Sequence, residues 1–347
     1  MSGDGVILRD VFSARQRIAS IVRRTPLVQS SVLTKHLDVP VYLKLENLQE
    51  TGAFKIRGAS NRFGTLTATE KAQGVITVSS GNHGRAVAHV AKRLGIAAVV
   101  CMSERVPINK VEGIKRYGAE VVVSGQDYDE ADEMASQLQA ERGLTRIDPF
   151  DDRDVIAGQG TIGLELLEDL PDLETVLVPL SGGGLISGVA LALKTVNPTI
   201  RVIGVSMDRG PVMADSLRVG TLVQMEEEPS LADALVGGIP FDNRYTFSMC
   251  QTYVDETILV SEEEIARGIV FALEKHRLVV EGGGAVGIAA LLSGKVSKLS
   301  GKVAVVVSGG NIDIPLLLQI ANEYGEKTVP SSKRKEDYDE YRNTDRS

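Results

Sequence analysis

The chain changes hydrophobic period as it runs. Residues 11–23 carry apolar side chains at helical spacing. Arg24-Thr25-Pro26 predicts the end of that helix, because the residue before proline avoids helical dihedrals. VPVYLKLENL, residues 39–48, alternates and predicts a strand. Helical spacing returns from Ala53 to about Phe63. A unit then repeats. GVITVS (74–79), IAAVVCM (96–102) and AEVVVSG (119–125) predict strands, with helices at 84–94, 107–117 and 127–142. The pattern restarts with a helix over 159–170, strand 174–180, helix 185–195 and strand 201–206. Helices at 261–275 and 284–293 and the strand KVAVVVSGG, 302–310, complete it. Strands alternating with helices at this spacing predict an α/β fold of parallel sheets covered on both faces, with right-handed crossovers. The restart predicts two open domains. Residues 210–253 are less regular and are expected to cover the mouth of a cleft.

Composition narrows the class. A chain of 347 residues can bury a large core and hold two domains. Hydrophobic residues make up 43% and charged residues 24%, which is ordinary for a globular protein. The net charge of -8 argues against a nucleic-acid surface, which needs a basic footprint. Two cysteines, Cys101 and Cys250, cannot build a sulfur-rich metal site or a disulfide scaffold, and Cys101 reads as a buried thiol. No HExxH, EF-hand loop or clustered ligand set is present, so no metal site is expected. The start has no apolar signal core, and no uninterrupted apolar run reaches membrane-spanning length. The expected location is the cytoplasm. From Ser331 onward the chain is polar with cancelling charges, and a disordered end is expected.

Candidate chemistry sits at the ends of the predicted strands. Lys55, in Thr51-Gly52-Ala53-Phe54-Lys55-Ile56-Arg57-Gly58, follows the first strand. Three other strands end in small, flexible turns: Ser79-Ser80-Gly81-Asn82-His83-Gly84, Ser181-Gly182-Gly183-Gly184 and Ser308-Gly309-Gly310-Asn311. In SGGGLISG, successive glycine amides at a helix start can turn toward one phosphate. The hydroxyls and amides of the first turn suit a carboxylate. A serine at position 308 can hydrogen-bond a pyridine nitrogen without protonating it fully, which suits elimination. One amine, a phosphate cradle and a partner for a ring nitrogen together point to pyridoxal phosphate. Each residue also has a plainer reading. Lys55 could be a solvated charge, Phe54 a core ring, and Arg57 either a cation beside Lys55 or a structural ion-pair partner. Ser79, Ser80 and Asn82 could cap a helix, His83 could be structural, and Ser308 could be a turn residue. Glu281, before three glycines, could position a substrate or a metal or simply be solvated. Neither GxGxxG nor GxxxxGK[ST] is present, which argues against a nicotinamide or P-loop enzyme.

TGAFKIRGA, SSGNHG and SGGGLISG together resemble the fold type II (tryptophan-synthase beta-like) pyridoxal-phosphate family. The threonine/serine dehydratase and serine racemase branch fits best, from about residue 8 to 325, and within it the dehydratases of hydroxyectoine utilisation. The resemblance implies two open parallel-sheet domains with the active site between them. The large domain would span 1–52 and 156–325, the small inserted domain 53–155, and the tail 326–347. Lys55 would carry the cofactor and act as base, with Phe54 beside the ring. Asn82 would meet the phenolic oxygen and Ser308 the ring nitrogen. Gly182, Gly183, Gly184 and Leu185 would hold the phosphate, and Gly238 would lie near the ring. Ser79, Ser80, Asn82 and His83 would hold the substrate carboxylate, with Ser80 facing the α-carbon opposite Lys55.

Three departures from the family pattern stand out. Ala53 replaces a serine, which should remove one local hydrogen bond. Ser206 replaces a metal-binding glutamate. EGGGAVG replaces an EPxGA-like segment. The expected activity is dehydration and deamination of L-threonine or L-serine to 2-oxobutanoate or pyruvate plus ammonia, by a homodimer without isoleucine feedback control. The competing expectations are 3-hydroxyaspartate dehydratase, serine racemase or a hydroxyectoine-catabolism dehydratase. A noncatalytic amino-acid-binding protein would need neither Lys55 nor Ser308.

Overall fold

A computed structural model describes residues 5–106 and 108–325. The disordered tail expected after residue 325 lies outside the described residues. The strands are β1 (Leu27–Gln29), β2 (Val41–Leu45), β3 (Val75–Val78), β4 (Ala98–Met102) and β5 (Glu120–Val123). They continue with β6 (Thr145–Arg146), β7 (Leu173–Pro179), β8 (Arg201–Met207), β9 (Glu256–Val260) and β10 (Lys302–Val307). One six-stranded sheet runs β1-β2-β10-β7-β8-β9, and one four-stranded sheet runs β5-β4-β3-β6. All pairings are parallel except β1 with β2, so the larger sheet carries one antiparallel edge strand that its periodicity did not announce. The chain leaves the larger sheet after β2, builds the smaller sheet from β3 to β6, and returns at β7.

The strand β10 shows why its sequence is an unbroken apolar run. Val303, Val305 and Val307 pack on one face against Ile265, Ile269, Val286 and Leu317. Ala304 and Val306 pack on the other against Ile162, Ile186 and Val189. Period-2 alternation therefore divides one strand between two helical layers. Fully burying a valine stabilises the fold by about 1.5–3 kcal/mol, so this strand is a main source of cohesion.

The smaller sheet is built the same way. Ile76, Val78, Val99 and Cys101 face Ala131, Ala135 and Leu138, while Val75 and Ala98 face Ala86, Val87 and Val90. The Cys101 thiol is buried, and burial pushes its pKa up to about 11, leaving it an inert core group.

The helix Lys55–Thr65 crosses the helix Arg153–Asp169 at close range. A Cβ on Gly158 would lie 2.6 Å from the Arg57 carbonyl, and one on Gly58 would lie 2.4 Å from Gln159. Only glycine at both positions lets the backbones meet. The second of these helices starts at Arg153, six residues before its expected start. Asp152 accepts from the amides of Asp154 and Val155 and caps it there. The first helix of the chain is Leu8–Ile18, ending well before Pro26, because the amides of Ile21 and Val22 turn back to the Ile18 carbonyl. Among the described residues, no helix is long and apolar enough to cross a membrane.

Candidate active site

The sheet order places the site. Strands β2, β10 and β7 are adjacent and parallel, so the segments leaving their carboxyl ends emerge side by side. Those segments lead to Lys55, begin at Ser308 and begin at Ser181. Open parallel sheets bind ligands beyond the carboxyl ends of their strands.

Backbone contacts tie these segments together. The Phe54 amide donates to the Ser308 carbonyl at 3.0 Å, and Ala53 forms an antiparallel bridge with Gly309. Lys55 Nζ donates to the Pro149 carbonyl at 2.6 Å and lies 5.3 Å from the Phe54 ring centroid. The next residue, Phe150, packs on the glycine turn: a Cβ on Gly182 would lie 2.5 Å from its ring, and one on Gly184 2.7 Å from its carbonyl. The amine and the glycine turn thus meet across Pro149-Phe150. Burial pulls the Lys55 pKa from 10.5 down to about 8, against an opposing pull from Asp148. An amine so shifted is substantially neutral at mildly alkaline pH and able to act as nucleophile or base.

Gly183, at φ +87°, opens the helix Gly184–Val196, and no side chain caps that helix. Three buried glycines, packed too tightly against Phe150, Cys250 and Met213 to carry side chains, and uncapped amides at a helix N-terminus make a cradle that suits a phosphate. Ser308 is buried, its hydroxyl donating to the Gly283 carbonyl at 3.3 Å. Amine, cradle and hydroxyl are the donor set that pyridoxal phosphate needs, and the residues present fit it.

The turn after β3 contributes unevenly. Ser79 and Ser80 are half-buried, and Ser79 Oγ accepts from the Gly81 amide at 3.3 Å. Asn82 is held by Glu281 and Asn311. The His83 ring is fixed by a backbone carbonyl. Its Nε2 sits 3.1 Å from the Ile147 carbonyl, which can only accept, so Nε2 carries the proton. Burial and the nearby Lys55 charge push its pKa down to about 3. Gly238 is exposed with open space around its Cα, and no hydrogen bond joins it to the cluster.

Arg57 is not a cation beside Lys55. It is buried, with Glu46 at 2.8 Å and Glu165 at 2.6 Å, and Lys44 Nζ reaches Glu165 at 2.6 Å. Glu281 is not solvated. It is 4% exposed, and among the described residues no group of three metal-ligating side chains occurs. Thr51, Arg85, Pro149, Phe150 and Asn311 were not singled out from sequence. The turn-forming Asp148-Pro149 and the asparagine closing Ser308–Asn311 were the available signals.

Two open parallel sheets with a desolvated lysine and a glycine cradle where they meet define a pyridoxal-phosphate enzyme. The chain belongs to the pyridoxal-phosphate dependent enzyme family, whose pattern matches residues 18–309. A Sinorhizobium fredii protein provisionally named a threonine dehydratase is 50% identical over 315 residues, covering 91% of this chain and 95% of that one. The L-threonine ammonia-lyase of Thermotoga maritima is 46% identical over 318 residues, covering 92% and 79%. The structure of maize serine racemase superposes with a TM-score of 0.87 at 36% identity, covering 92% of this chain and 98% of that one.

Proposed function

We propose that the chain is a threonine/serine ammonia-lyase, converting L-threonine to 2-oxobutanoate and L-serine to pyruvate, each with ammonia. The observation that carries this reading is the desolvated Lys55 amine beside the glycine cradle and Ser308. The likeness to L-threonine ammonia-lyases supports it. When bound, pyridoxal phosphate supplies an electron sink for the charge left at the α-carbon. The amides of Gly182, Gly183, Gly184 and Leu185 would hold its phosphate, Ser308 Oγ would meet its ring nitrogen, and Phe54 would pack beside the ring. Asn82 meets its phenolic oxygen. The hydroxyls of Ser79 and Ser80 and the amide of Asn82 hold the substrate carboxylate. Lys55 Nζ would take the α proton, and the β-hydroxyl would pick up a proton and leave as water, so that the substrate loses one hydrogen and one hydroxyl in all. The released enamine tautomerises and adds water, freeing ammonia. Ser80 would face the α-carbon opposite Lys55 and could serve as a proton donor.

Incubating the cofactor-loaded protein with threonine, serine and 3-hydroxyaspartate tests the reading. Deamination of threonine and serine is expected, threonine being preferred because its methyl group gains an apolar contact. One such contact discriminates by only about 1–3 kcal/mol, so serine remains a substrate. Absence of any 2-oxo acid overturns the reading, and D-serine without pyruvate replaces it with racemisation. A role in hydroxyectoine catabolism is the second reading we propose, and it makes a bulkier β-hydroxy amino acid the fourth member of that panel.

The Lys55 shift makes a separate prediction. Capture of the cofactor by the apoprotein needs the neutral amine. Its rate should rise about tenfold per pH unit up to about 8 and level off above it. A rise continuing to pH 10 would show an amine with an ordinary pKa.

The proposed small domain comprises residues 53–155, inserted in a large domain of 1–52 and 156–325. We propose a cytoplasmic homodimer. Light scattering should give twice the 37.2 kDa chain mass, and a monodisperse monomer would reject it.

A further inference from the structure

We propose that Glu281 is a positioning residue: it fixes the Asn82 amide and the Ser308–Asn311 turn in one arrangement for the reaction proposed above. The inference rests on that reading of the site and goes beyond it. Glu281 stands at the N-cap of the helix Gly282–Leu292, yet its side chain does not cap that helix. It points instead to the other segments. Oε1 accepts from Asn82 Nδ2 at 2.6 Å, and Oε2 accepts from the Asn311 amide at 3.0 Å. Its own amide donates to the Gly309 carbonyl at 3.1 Å. Asn311 Nδ2 then donates to Asn82 Oδ1 at 2.7 Å and to the Thr51 carbonyl at 2.8 Å. Arg85 Nη1 donates to Asn311 Oδ1 at 3.0 Å. One carboxylate therefore ties together the segments that carry Lys55, Asn82 and Ser308.

The arrangement leaves Asn82 no choice of orientation. A flipped amide would set oxygen against the carboxylate and NH2 against the Asn311 NH2. As oriented, one Nδ2 hydrogen stays free to face a ligand oxygen. Gly309 belongs to the same design, since a Cβ there would lie 2.3 Å from Glu281 Oε1. The clamp also depends on charge. Burial and the neighbouring Asp233 push the Glu281 pKa up to about 7, against Asn82, the Asn311 amide and Arg85. Asp233 is itself 3.0 Å from Lys110. Above pH 7 both oxygens accept. Below it the carboxyl gains a proton that faces two donors, and the clamp loosens.

The test uses Glu281→Gln holoenzyme. Glutamine keeps the volume but turns an NH2 toward one of the two donors. The expected result is a shifted visible cofactor band that no longer changes between pH 6 and 8. The kcat for threonine should fall by about 10- to 100-fold, with KM within about threefold. A wild-type band, pH profile and kcat overturn the inference. The apoprotein gives an independent readout. A carboxyl with a raised folded-state pKa loses stability as pH rises from about 4.5 to 7, so the Tm of Glu281→Gln should gain on wild type between pH 5 and 8. A Tm difference constant across that range also overturns it. Should Glu281→Gln not fold, Glu281→Asp, which keeps the charge but shortens the reach, carries the same spectral and kinetic expectations at pH 8. Wild-type protein inactive on β-hydroxy amino acids sinks the underlying reading instead, a result distinct from an active wild type with an indifferent Glu281→Gln.

Discussion

Lys55→Ala abolishes both the visible absorbance of lysine-linked cofactor and the deamination of threonine. The substitution removes the one amine at the mouth of β2, β10 and β7, and with it both the covalent anchor and the proposed base. Loss of a positioned base alone lowers rates by about 10²–10⁴-fold, and loss of the anchor adds to that. The fold should survive, because the substitution gives up one hydrogen bond, to the Pro149 carbonyl, and removes a charge that is costly to desolvate. Borohydride reduction followed by peptide mapping checks the assignment. Wild type should be labelled on the peptide containing Lys55 and the variant on none. A reducible band kept in Lys55→Ala, with label on another lysine, would place the nucleophile elsewhere.

Arg57→Met has the opposite profile, a large loss of stability. Arg57, Glu46, Glu165 and Lys44 form a buried group whose charges sum to zero. Further bonds complete it: Thr25 to Glu46 at 2.5 Å, Arg57 to Thr161 at 3.0 Å and Lys44 to the Thr25 carbonyl at 2.7 Å. For Glu46, burial pushes the carboxyl pKa up, and Arg57 more than reverses this, holding it below the ordinary range. Removing one partner of a buried pair costs about 3–5 kcal/mol, because the remaining charge stays desolvated. Denaturant titration at pH 8 should show that loss. The sign of the pH effect follows from the lowered Glu46 pKa. Its stabilising contribution is complete above the unfolded-state value and is lost as pH falls through the folded-state value. The wild-type advantage over Arg57→Met should therefore shrink under acid. A variant within 1 kcal/mol of wild type, by the usual range for surface changes, would show that the group is not an interlocked unit.

Much of the architecture was legible because its signals are local. β4, β7, β8 and β10 are apolar runs bounded by glycine or polar residues, and their type does not depend on what they pair with. The glycine turn after β7 and the lysine after β2 could be read for the same reason: backbone freedom and a lone amine are properties of single residues. Short edge elements were not legible. β6 is two residues long and β1 three, too short for any periodicity, and only their partners make them strands. The choice between the two readings of Arg57, and the fate of Glu281, could not be decided for a related reason. Whether a charge is solvated or buried depends on residues about 100–200 positions away, Glu165 in one case and Asn82 in the other. His83 illustrates the converse. Its motif suggested a ligand contact, but the carbonyl that decides its tautomer belongs to Ile147, 64 residues on.

The place of β10 in the sheet has a consequence for how the chain is made. Among the described residues it is the last strand to leave the ribosome, yet it lies between β2 and β7. Until residues 302–307 arrive, the larger sheet exists only as two fragments, β1-β2 and β7-β8-β9, each with an unpaired edge. The contacts that join them span more than 120 residues on one side and about 260 on the other. Such distant closure is slow, and open strand edges invite pairing with other chains. A nascent or truncated chain lacking this strand should therefore aggregate rather than fold in part. The smaller sheet, complete by residue 146, has no such wait. Catalytic competence thus waits on β10, when the segment bearing Ser308 slots in beside a lysine translated about 250 residues earlier.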